Sequence, residues 1–139
     1  MPSSATSSSV GKIARVLLVD DNEAMLARVA AVLERECEIV GSVKDGPAAL
    51  AAADALRPDV IVLDISMPGM SGLEVATRLR KAGSTAAVVF LTVHDEEEFA
   101  LAAQAAGARG YVVKSRLLSD LMTAVRAAQG GGSFTSPVH

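Results

Sequence analysis

The sequence predicts an α/β fold in which helices cover both faces of a five-stranded parallel sheet. Short apolar runs rich in β-branched residues recur along the chain, as in strands that are buried on both faces of a sheet. Helical patterns separate these runs, and this alternation is typical of β-α units in series. The four clearest runs are 16–19, 60–63, 88–91 and 111–113. Right-handed crossovers between such units place helices on both faces, which gives a doubly wound sheet.

The first two β-α units occupy the first part of the chain. Strand 16–19 precedes a helix predicted over 22–36, where apolar residues recur at helical spacing. A short strand over 38–43 then leads into an Ala-rich helix over 47–56. Pro58 disfavours the α conformation in the residue before it, so this helix is expected to end there.

Three more units follow and complete the predicted domain. Their elements are strand 60–63, loop 65–70, helix 71–81, strand 88–91, helix 95–106, strand 111–113 and helix 117–129. Gly83 and Gly107 end two of these helices, and Gly130-Gly131-Gly132 is predicted to end regular structure. The domain is expected to span 13–130. A disordered polar tail over 1–12 precedes it, and a C-terminal tail over 131–139 follows.

Composition narrows the possible functions. The chain has 139 residues, about one domain, and half are hydrophobic, although only 3% are aromatic. A net charge of -3 provides no basic patch, so direct nucleic-acid binding is not expected. No apolar stretch reaches the roughly 20 residues of a membrane helix, and Cys37 alone cannot form an internal disulfide. These features favour a cytoplasmic protein without membrane contact.

Polar residues follow the predicted strands at the edge where parallel strands end. They are Asp20 and Asp21, Asp64, Thr92 and Lys114. Ligands of α/β sheets bind at this edge, so the side chains are expected to converge on one site. Clustered carboxylates suit Mg²⁺, and an aspartate can act as the nucleophile that forms an aspartyl phosphate. An amine and a hydroxyl could then contact phosphoryl oxygens. The set therefore contains the groups required to phosphorylate an aspartate.

Each of these features has an ordinary structural explanation when it is taken alone. Asp20-Asp21-Asn22 is also a common way to begin a helix, and an aspartate after a strand often only starts a loop. Threonine is frequent in strands, and most single lysines are solvated. What favours a functional site is the joint occurrence of these residues, each at the end of a separate buried strand. No Gly-x-x-x-x-Gly-Lys or Gly-x-Gly-x-x-Gly motif indicates nucleotide binding.

Four segments resemble the receiver domains of two-component response regulators, over about residues 14–129. They are Val19-Asp20-Asp21, the segment 63–72 with its Asp-x-x-Met-Pro-x-x-x-Gly pattern, Leu91-Thr92, and the segment 110–114. The resemblance implies a flavodoxin-like sheet with strand order 2-1-3-4-5. The end of the chain from Leu117 onward is most similar to receivers of the NarL/FixJ (LuxR-type) class.

The resemblance also implies a role for each site residue. Asp64 would be the phosphoacceptor, and Asp21, Asp64 and the backbone carbonyl of Ser66 would bind Mg²⁺. Asp20 would reach the ion mainly through water, and Lys114 would pair with the phosphoryl group. Thr92 and Tyr111 would form the switch that responds to phosphorylation. On residue type alone, Tyr111 would be interpreted as a half-buried strand aromatic.

Three residues near these positions depart from the common family pattern or have no assigned role. Ser115 follows Lys114 where proline is usual, and a trans Lys114–Ser115 bond is predicted because a cis bond without proline costs about 2.5–4 kcal/mol. Val93 follows Thr92 where alanine or serine is common, and its larger side chain is expected to slow loss of the phosphoryl group. His94 either borders the site or is an ordinary surface residue.

The resemblance implies a phosphoacceptor switch that catalyses only its own aspartyl phosphorylation and dephosphorylation. Its expected partners are a sensor histidine kinase or histidine phosphotransfer protein and an unidentified output partner, and a phosphorylation-dependent homodimer is left open. The chain ends at His139 with no helix-turn-helix segment. It is therefore either a free-standing receiver, which its Met1 and lack of an affinity tag favour, or the receiver of a longer NarL/FixJ-type DNA-binding transcription regulator.

Overall fold

The computed structural model describes residues 11–139, and its centre is a parallel sheet. The sheet has six strands in the order β2-β1-β3-β4-β5-β6. The strands are β1 (Ala14–Val19), β2 (Cys37–Val43), β3 (Val60–Leu63), β4 (Ala87–Thr92), β5 (Gly110–Val113) and β6 (Phe134–Thr135). The predicted order of the first five strands is confirmed. The predicted tail over 1–12 lies outside the described residues except for its last two.

Five α-helices connect the strands. They are α1 (Glu23–Leu33), α2 (Gly46–Leu56), α3 (Gly72–Lys81), α4 (Glu97–Ala105) and α5 (Leu117–Gln129). The side chains of Asn22, Asp45 and Ser71 cap α1, α2 and α3 by accepting a hydrogen bond from a backbone N–H in the first turn. All five helices were predicted, although α1 ends earlier and α4 begins later than their apolar patterns indicate.

Two hydrophobic layers cover the sheet, one on each face. On one face α1 and α5 bury residues such as Leu26, Leu33 and Leu121. On the other face α2, α3 and α4 contribute residues such as Val75 and Leu79. Burial of these side chains is the main force that holds the helices against the strands. The doubly wound architecture is therefore confirmed.

The strand register determines which polar side chains become neighbours. Val19 of β1 pairs with Leu63 of β3, so the next residues along the chain, Asp20 and Asp64, leave the sheet side by side. Thr92 of β4 pairs with Val113 of β5, which places Lys114 one residue beyond Thr92. Asp20, Asp64, Thr92 and Lys114 therefore lie at the carboxyl edge of the sheet at nearly the same level.

The prediction that Gly130-Gly131-Gly132 ends regular structure is wrong. Beyond these glycines the chain returns to the sheet, and Phe134 and Thr135 pair in parallel with Gly110 and Tyr111 of β5. The pairing covers the edge of β5, whose unpaired backbone groups would otherwise face solvent. The sheet therefore has a sixth strand that the apolar pattern did not indicate, since a two-residue strand carries no detectable period.

None of the helices within residues 11–139 is long and apolar enough to cross a membrane.

Candidate functional site

Three carboxylates meet at the carboxyl edge of the sheet. Asp20, Asp21 and Asp64 each place an oxygen within 4.8 Å of the others. Asp20 and Asp64 are buried, with 4% and 5% of their surface exposed, whereas Asp21 is exposed. The backbone N–H groups of Asp20 and Asp64 donate to carbonyls of the neighbouring strands β2 and β1. The sequence therefore predicted this cluster correctly, and the sheet holds it in place.

The ammonium group of Lys114 lies between the two buried carboxylates. Its Nζ is 2.9 Å from Asp20 Oδ2 and 3.2 Å from Asp64 Oδ2. Lys114 begins a short 3-10 helix, Lys114–Arg116, directly after β5. No peptide bond among residues 11–139 is cis, so the predicted trans bond between Lys114 and Ser115 is confirmed. Serine in place of proline therefore still allows the amine to reach the carboxylates.

The electrostatics of the cluster depend on burial and on this lysine. Burial raises the pKa of Asp64 above its usual range, and the nearby charge of Asp20 adds to the effect, while Lys114 opposes it. Burial also lowers the pKa of Lys114, but the hydrogen bond to Asp20 and the attraction of Asp64 outweigh it and raise the pKa overall. The lysine is therefore fully charged at neutral pH, and Asp64 remains a relatively basic carboxylate.

The cluster fits a hard divalent cation. Three carboxylate oxygens lie close together, and within residues 11–139 the ammonium group of Lys114 alone pairs with the two buried carboxylates. Oxygen ligands with incomplete charge compensation suit Mg²⁺, which takes one or two carboxylates and keeps several waters. Asp20, Asp21 and Asp64 are the residues that could hold it. Ser66 lies in the adjacent loop, where its N–H donates to Asp64 Oδ1 at 3.3 Å, and its carbonyl as a ligand stays a prediction.

Thr92 is fully buried at the end of β4. Its Oγ1 accepts a hydrogen bond from the backbone N–H of His94 at 3.3 Å. Within residues 11–139 the structure shows no hydrogen bond between Thr92 and Asp64. The hydroxyl is therefore at the site, but it is engaged with the loop that follows its own strand.

Tyr111 lies beneath the same loop. Only 2% of its surface is exposed, and its phenol donates a hydrogen bond to the carbonyl of His94 at 2.8 Å. Burial raises the pKa of Tyr111 to about 12, so the phenol is protonated and can donate throughout the physiological range. The side chain is therefore buried rather than half-buried, and it is linked to the loop next to Thr92.

His94 borders the site, which was one of its two predicted positions. Its Nε2 is 2.7 Å from Ser66 Oγ, and its ring stacks on Phe99 of α4 with 4.0 Å between ring centroids. The residue therefore links the loop after β3 to the loop after β4. Sequence reasoning did not identify these partners, because neither serine nor phenylalanine has a spacing that marks it as a neighbour of His94.

A cavity elsewhere in the molecule is separate from this cluster. It has a volume of about 560 Å³ and lies between the ends of α2 and α3, with Arg57, Arg78 and Lys81 among its lining residues. These residues precede β3 and β4, so the cavity is at the opposite edge of the sheet from the aspartates.

Comparison with known proteins identifies relatives of the whole domain. A model of the response regulator receiver domain matches residues 16–126. The positive alginate biosynthesis regulatory protein of Pseudomonas aeruginosa is 42% identical over 116 residues, which cover 81% of this chain and 46% of that protein. The nitrate/nitrite response regulator protein NarP of Escherichia coli is 39% identical over 128 residues, which cover 90% of this chain and 60% of that protein. The chain spans about half the length of these curated relatives.

Solved structures lead to the same family. A LuxR-family two-component response regulator from Aurantimonas sp. SI85-9A1 superposes with a TM-score of 0.85 at 32% identity, covering 89% of this chain and 90% of that one. The isolated receiver domain of RcsB from Salmonella enterica serovar Typhimurium, solved with the phosphomimetic BeF3-, gives a TM-score of 0.81 at 25% identity, covering 88% and 93%. The chain therefore belongs to the response regulator receiver domains of two-component systems, close to the NarL/FixJ class.

Proposed function

We propose that this protein is a phosphoacceptor switch that receives a phosphoryl group on Asp64 in the presence of Mg²⁺. Receiver domains of response regulators receive phosphate from histidine kinases and bind Mg²⁺ at an aspartate cluster. The observation that carries the proposal is the position of Asp64, which lies among Asp20, Asp21 and Lys114 at the carboxyl edge of the sheet. The donor would be a sensor histidine kinase or a histidine phosphotransfer protein.

Of the two buried aspartates, Asp64 is the better candidate for the nucleophile. Asp20 Oδ1 already accepts from the N–H of Asn22 at 2.9 Å, and Asp20 Oδ2 makes the shorter bond to Lys114. Both contacts of Asp64 are longer, 3.3 Å to Ser66 N and 3.2 Å to Lys114. A carboxylate that is less strongly bound and has a raised pKa donates its electrons more readily.

The transfer itself is a simple displacement. An oxygen of Asp64 forms a bond to phosphorus as the bond from phosphorus to the donor's histidine nitrogen breaks, and that nitrogen keeps the electron pair. A bound Mg²⁺ would neutralise charge on the phosphoryl oxygens. Lys114 supplies a second positive charge, since its amine already stands 3.2 Å from the nucleophile. In this role the protein catalyses only its own phosphorylation and dephosphorylation.

Thr92 and Tyr111 are the residues that would convert phosphorylation into a conformational change. The phosphoryl group adds about 1.5–2 negative charges and new acceptor oxygens beside Asp64. Thr92 Oγ1 accepts a 3.3 Å bond from the His94 N–H, and its own O–H can donate to a phosphoryl oxygen, which would draw the side chain toward Asp64. Because Tyr111 bonds to the carbonyl of His94, movement of this loop would reach β5 as well.

The proposal is tested by intact mass after incubation with Mg²⁺ and a small phosphodonor such as acetyl phosphate. The wild type should gain the mass of one phosphoryl group, and Asp64→Asn should not. Asp54→Asn is a matched control, because Asp54 is an exposed residue of α2 far from the cluster. An adduct that persists in Asp64→Asn would refute the assignment. Omission of Mg²⁺, and separately Asp21→Asn, should slow the reaction strongly if the cluster binds the ion.

A second candidate is that the chain is the receiver portion of a longer regulator. The share of the curated relatives that it spans, 46% and 60%, favours this arrangement. An immunoblot of the source cells with an antibody against the receiver would distinguish a free-standing receiver from a longer regulator by the size of the detected protein. A band at the size of 139 residues supports a free-standing receiver, and a band near twice that size supports the longer regulator. Size exclusion of the phosphorylated and unphosphorylated protein would test for a phosphorylation-dependent homodimer.

A further inference from the structure

The segment after α5 returns to the sheet and is bonded to the domain at several points. We refer to residues 133–139 as the C-terminal strap. Its strand β6 pairs with β5, and the N–H of Ser136 continues the ladder by donating to the carbonyl of Tyr111 at 2.8 Å. Phe134 and Val138 are partly buried, each against one of the two hydrophobic layers. The strap is therefore an integral part of the sheet edge.

The middle of the strap is anchored to α5 through buried polar groups. Ser136 is 1% exposed, and its Oγ donates to Asp120 Oδ2 at 2.7 Å while it accepts from the N–H of Val113 at 3.3 Å. Asp120 is also buried and pairs with Arg116 at 2.7 Å. A buried hydroxyl with both a donor and an acceptor partner fixes the position of the chain at this point.

The end of the strap is bonded to the beginning of α4. The N–H of His139 donates to the carbonyl of Asp95 at 2.8 Å, and the N–H of Glu97 donates to the carbonyl of His139 at 2.8 Å. These two bonds bracket the N-terminus of α4. The strap thus spans from α5, across the edge of β5, to the loop that follows Thr92.

The N-terminus of α4 needs such a partner. Side chains cap α1, α2 and α3, but among the described residues none caps α4, where Glu96 occupies the capping position without a side-chain hydrogen bond. The first N–H groups of a helix have no partner within the helix, and an external acceptor stabilises them. The carbonyl of His139 supplies that acceptor to Glu97. Ala103 is the one buried residue of α4, whose residues are all described, so packing alone holds this helix weakly.

The strap and the proposed switch residues hold the same loop from two sides. Tyr111 bonds to the carbonyl of His94 from beneath, and the strap bonds to the next residue, Asp95, from outside. Thr92 begins this loop and is the residue expected to move toward a phosphoryl group. A shift of the loop would therefore change the geometry of both bonds to His139.

We propose that the C-terminal strap is a regulatory cap of α4, which is docked in the unphosphorylated protein and released at its end when Asp64 is phosphorylated. The capping half of this proposal stands on the unphosphorylated structure alone. The release half rests on the proposed function of Asp64. Release would change the path of any chain beyond residue 139 and uncover the N-terminus of α4 to partners.

The capping half is tested by amide hydrogen exchange, measured by NMR on the full chain. Val138→Asp/His139→Pro removes the N–H that donates to Asp95, and it replaces the partly buried, apolar Val138 with a carboxylate, which weakens the packing of the strap next to His139. The Glu97 amide should exchange about three- to tenfold faster, the change expected when one hydrogen bond of ordinary strength is lost. Thr135→Ala is the matched control, because Thr135 is an exposed residue of the strap. Unchanged exchange at Glu97 in the double variant would overturn the capping half.

The release half is tested on the wild type with Mg²⁺ and beryllofluoride, whose binding is followed separately by fluorine NMR. Exchange at the amides of His139 and Glu97 should accelerate when the phosphomimetic is bound, and the amide of Ser136 should stay protected by its anchor. Bound beryllofluoride with unchanged exchange at His139 would overturn release while leaving the proposed function intact. Failure to bind beryllofluoride would count against the proposed function and against release, whereas the double variant would still decide the capping half.

Discussion

The carboxyl edge of the sheet has two regions that are held in different ways. On the side of β1 and β3, the buried residues Asp20 and Asp64 are fixed by strand hydrogen bonds and by Lys114, and Asp21 is exposed beside them. On the side of β4 and β5, Thr92 and Tyr111 are connected mainly through single hydrogen bonds to His94. The acidic region is thus preorganised before any ligand binds. The second region is held by single hydrogen bonds, which can break at a low cost in free energy.

The two helices that flank β5 show the same contrast. Helix α5 buries six residues, and α4 buries Ala103 alone. Burial of apolar area is the main stabilising term, so α4 should open at a much lower free energy than α5. The acidic cluster, where we propose that phosphorylation occurs, is therefore held more firmly than α4, the element that would respond to it.

The largest effect is expected when matched leucines of these two helices are replaced. Leu121 of α5 is fully buried, and Leu121→Ala should lower the free energy of unfolding by about 3 kcal/mol through lost burial and a cavity. Leu101 of α4 is 57% exposed, and Leu101→Ala should change the free energy by less than about 0.5 kcal/mol. Urea denaturation of both variants measures the difference. Equal losses would contradict the contrast between the helices.

A smaller loss is expected when the acidic region loses its cation. Lys114→Ala leaves Asp20 and Asp64 buried without a positive partner, and it should cost about 2 kcal/mol at pH 7 because Asp64 can take up a proton instead of staying charged. The cost should shrink as the pH falls and Asp64, whose pKa burial raises, becomes protonated. It should also shrink at high pH, since the stability from a lysine with a raised pKa is lost as the pH rises through that pKa.

Two measurements complete the test of this variant. Urea denaturation across the pH range should show the largest difference from wild type between the titration of Asp64 and that of Lys114. Addition of Mg²⁺ should recover part of the loss, because the ion would replace the missing charge. Lys12→Ala is a control for removal of an ammonium group, since Lys12 donates to the carbonyls of Glu34 and Arg35 and is not part of the acidic cluster. A difference that is independent of pH and Mg²⁺ would show that Lys114 contributes packing rather than charge.

The same contrast explains which features could be predicted from the sequence. The aspartates and Lys114 follow strongly apolar strands, so the periodicity that locates the strands also locates the residues at their ends. Strand register then leaves little freedom in how Asp20 and Asp64 are placed relative to each other. The fold and the membership of the acidic cluster were therefore predictable.

The features that escaped prediction depend on single contacts. The contact of His94 with Ser66 joins residues 28 positions apart, and no local pattern marks either as a partner. The bond of Ser136 to Asp120 and the sixth strand likewise arise only after α5 and β5 are in place. Asp120 could have been noticed as a polar residue on the apolar face of α5, but its partner lies beyond three glycines, where the sequence suggested that structure ends.

A loss of about 1 kcal/mol is expected when the phenol of Tyr111 is removed. Tyr111→Phe keeps the buried ring but deletes the hydrogen bond to the carbonyl of His94, which is worth about that much. Phosphorylation measured by intact mass should be unaffected, because the phenol does not contact the acidic cluster. The amide exchange of the loop over 93–96 should accelerate in the unphosphorylated variant. A variant that phosphorylates normally and keeps wild-type exchange in this loop would show that Tyr111 does not restrain it.

The smallest effect on stability is expected at Val93, where a substitution should change the rate of dephosphorylation instead. This residue directly follows the buried Thr92 and is 65% exposed, and we expect its side chain to hinder a water that attacks the phosphoryl group. Val93→Ala should leave the free energy of unfolding within about 0.5 kcal/mol of wild type. It should shorten the half-life of the phosphorylated protein by about threefold, a barrier change of ~0.7 kcal/mol.

Leu101→Ala, which also truncates an exposed apolar side chain, controls for surface effects. Equal half-lives for Val93→Ala and wild type would mean that water reaches Asp64 by a route that Val93 does not cover. The region of β4 and β5 would then respond to phosphorylation without affecting the rate of dephosphorylation.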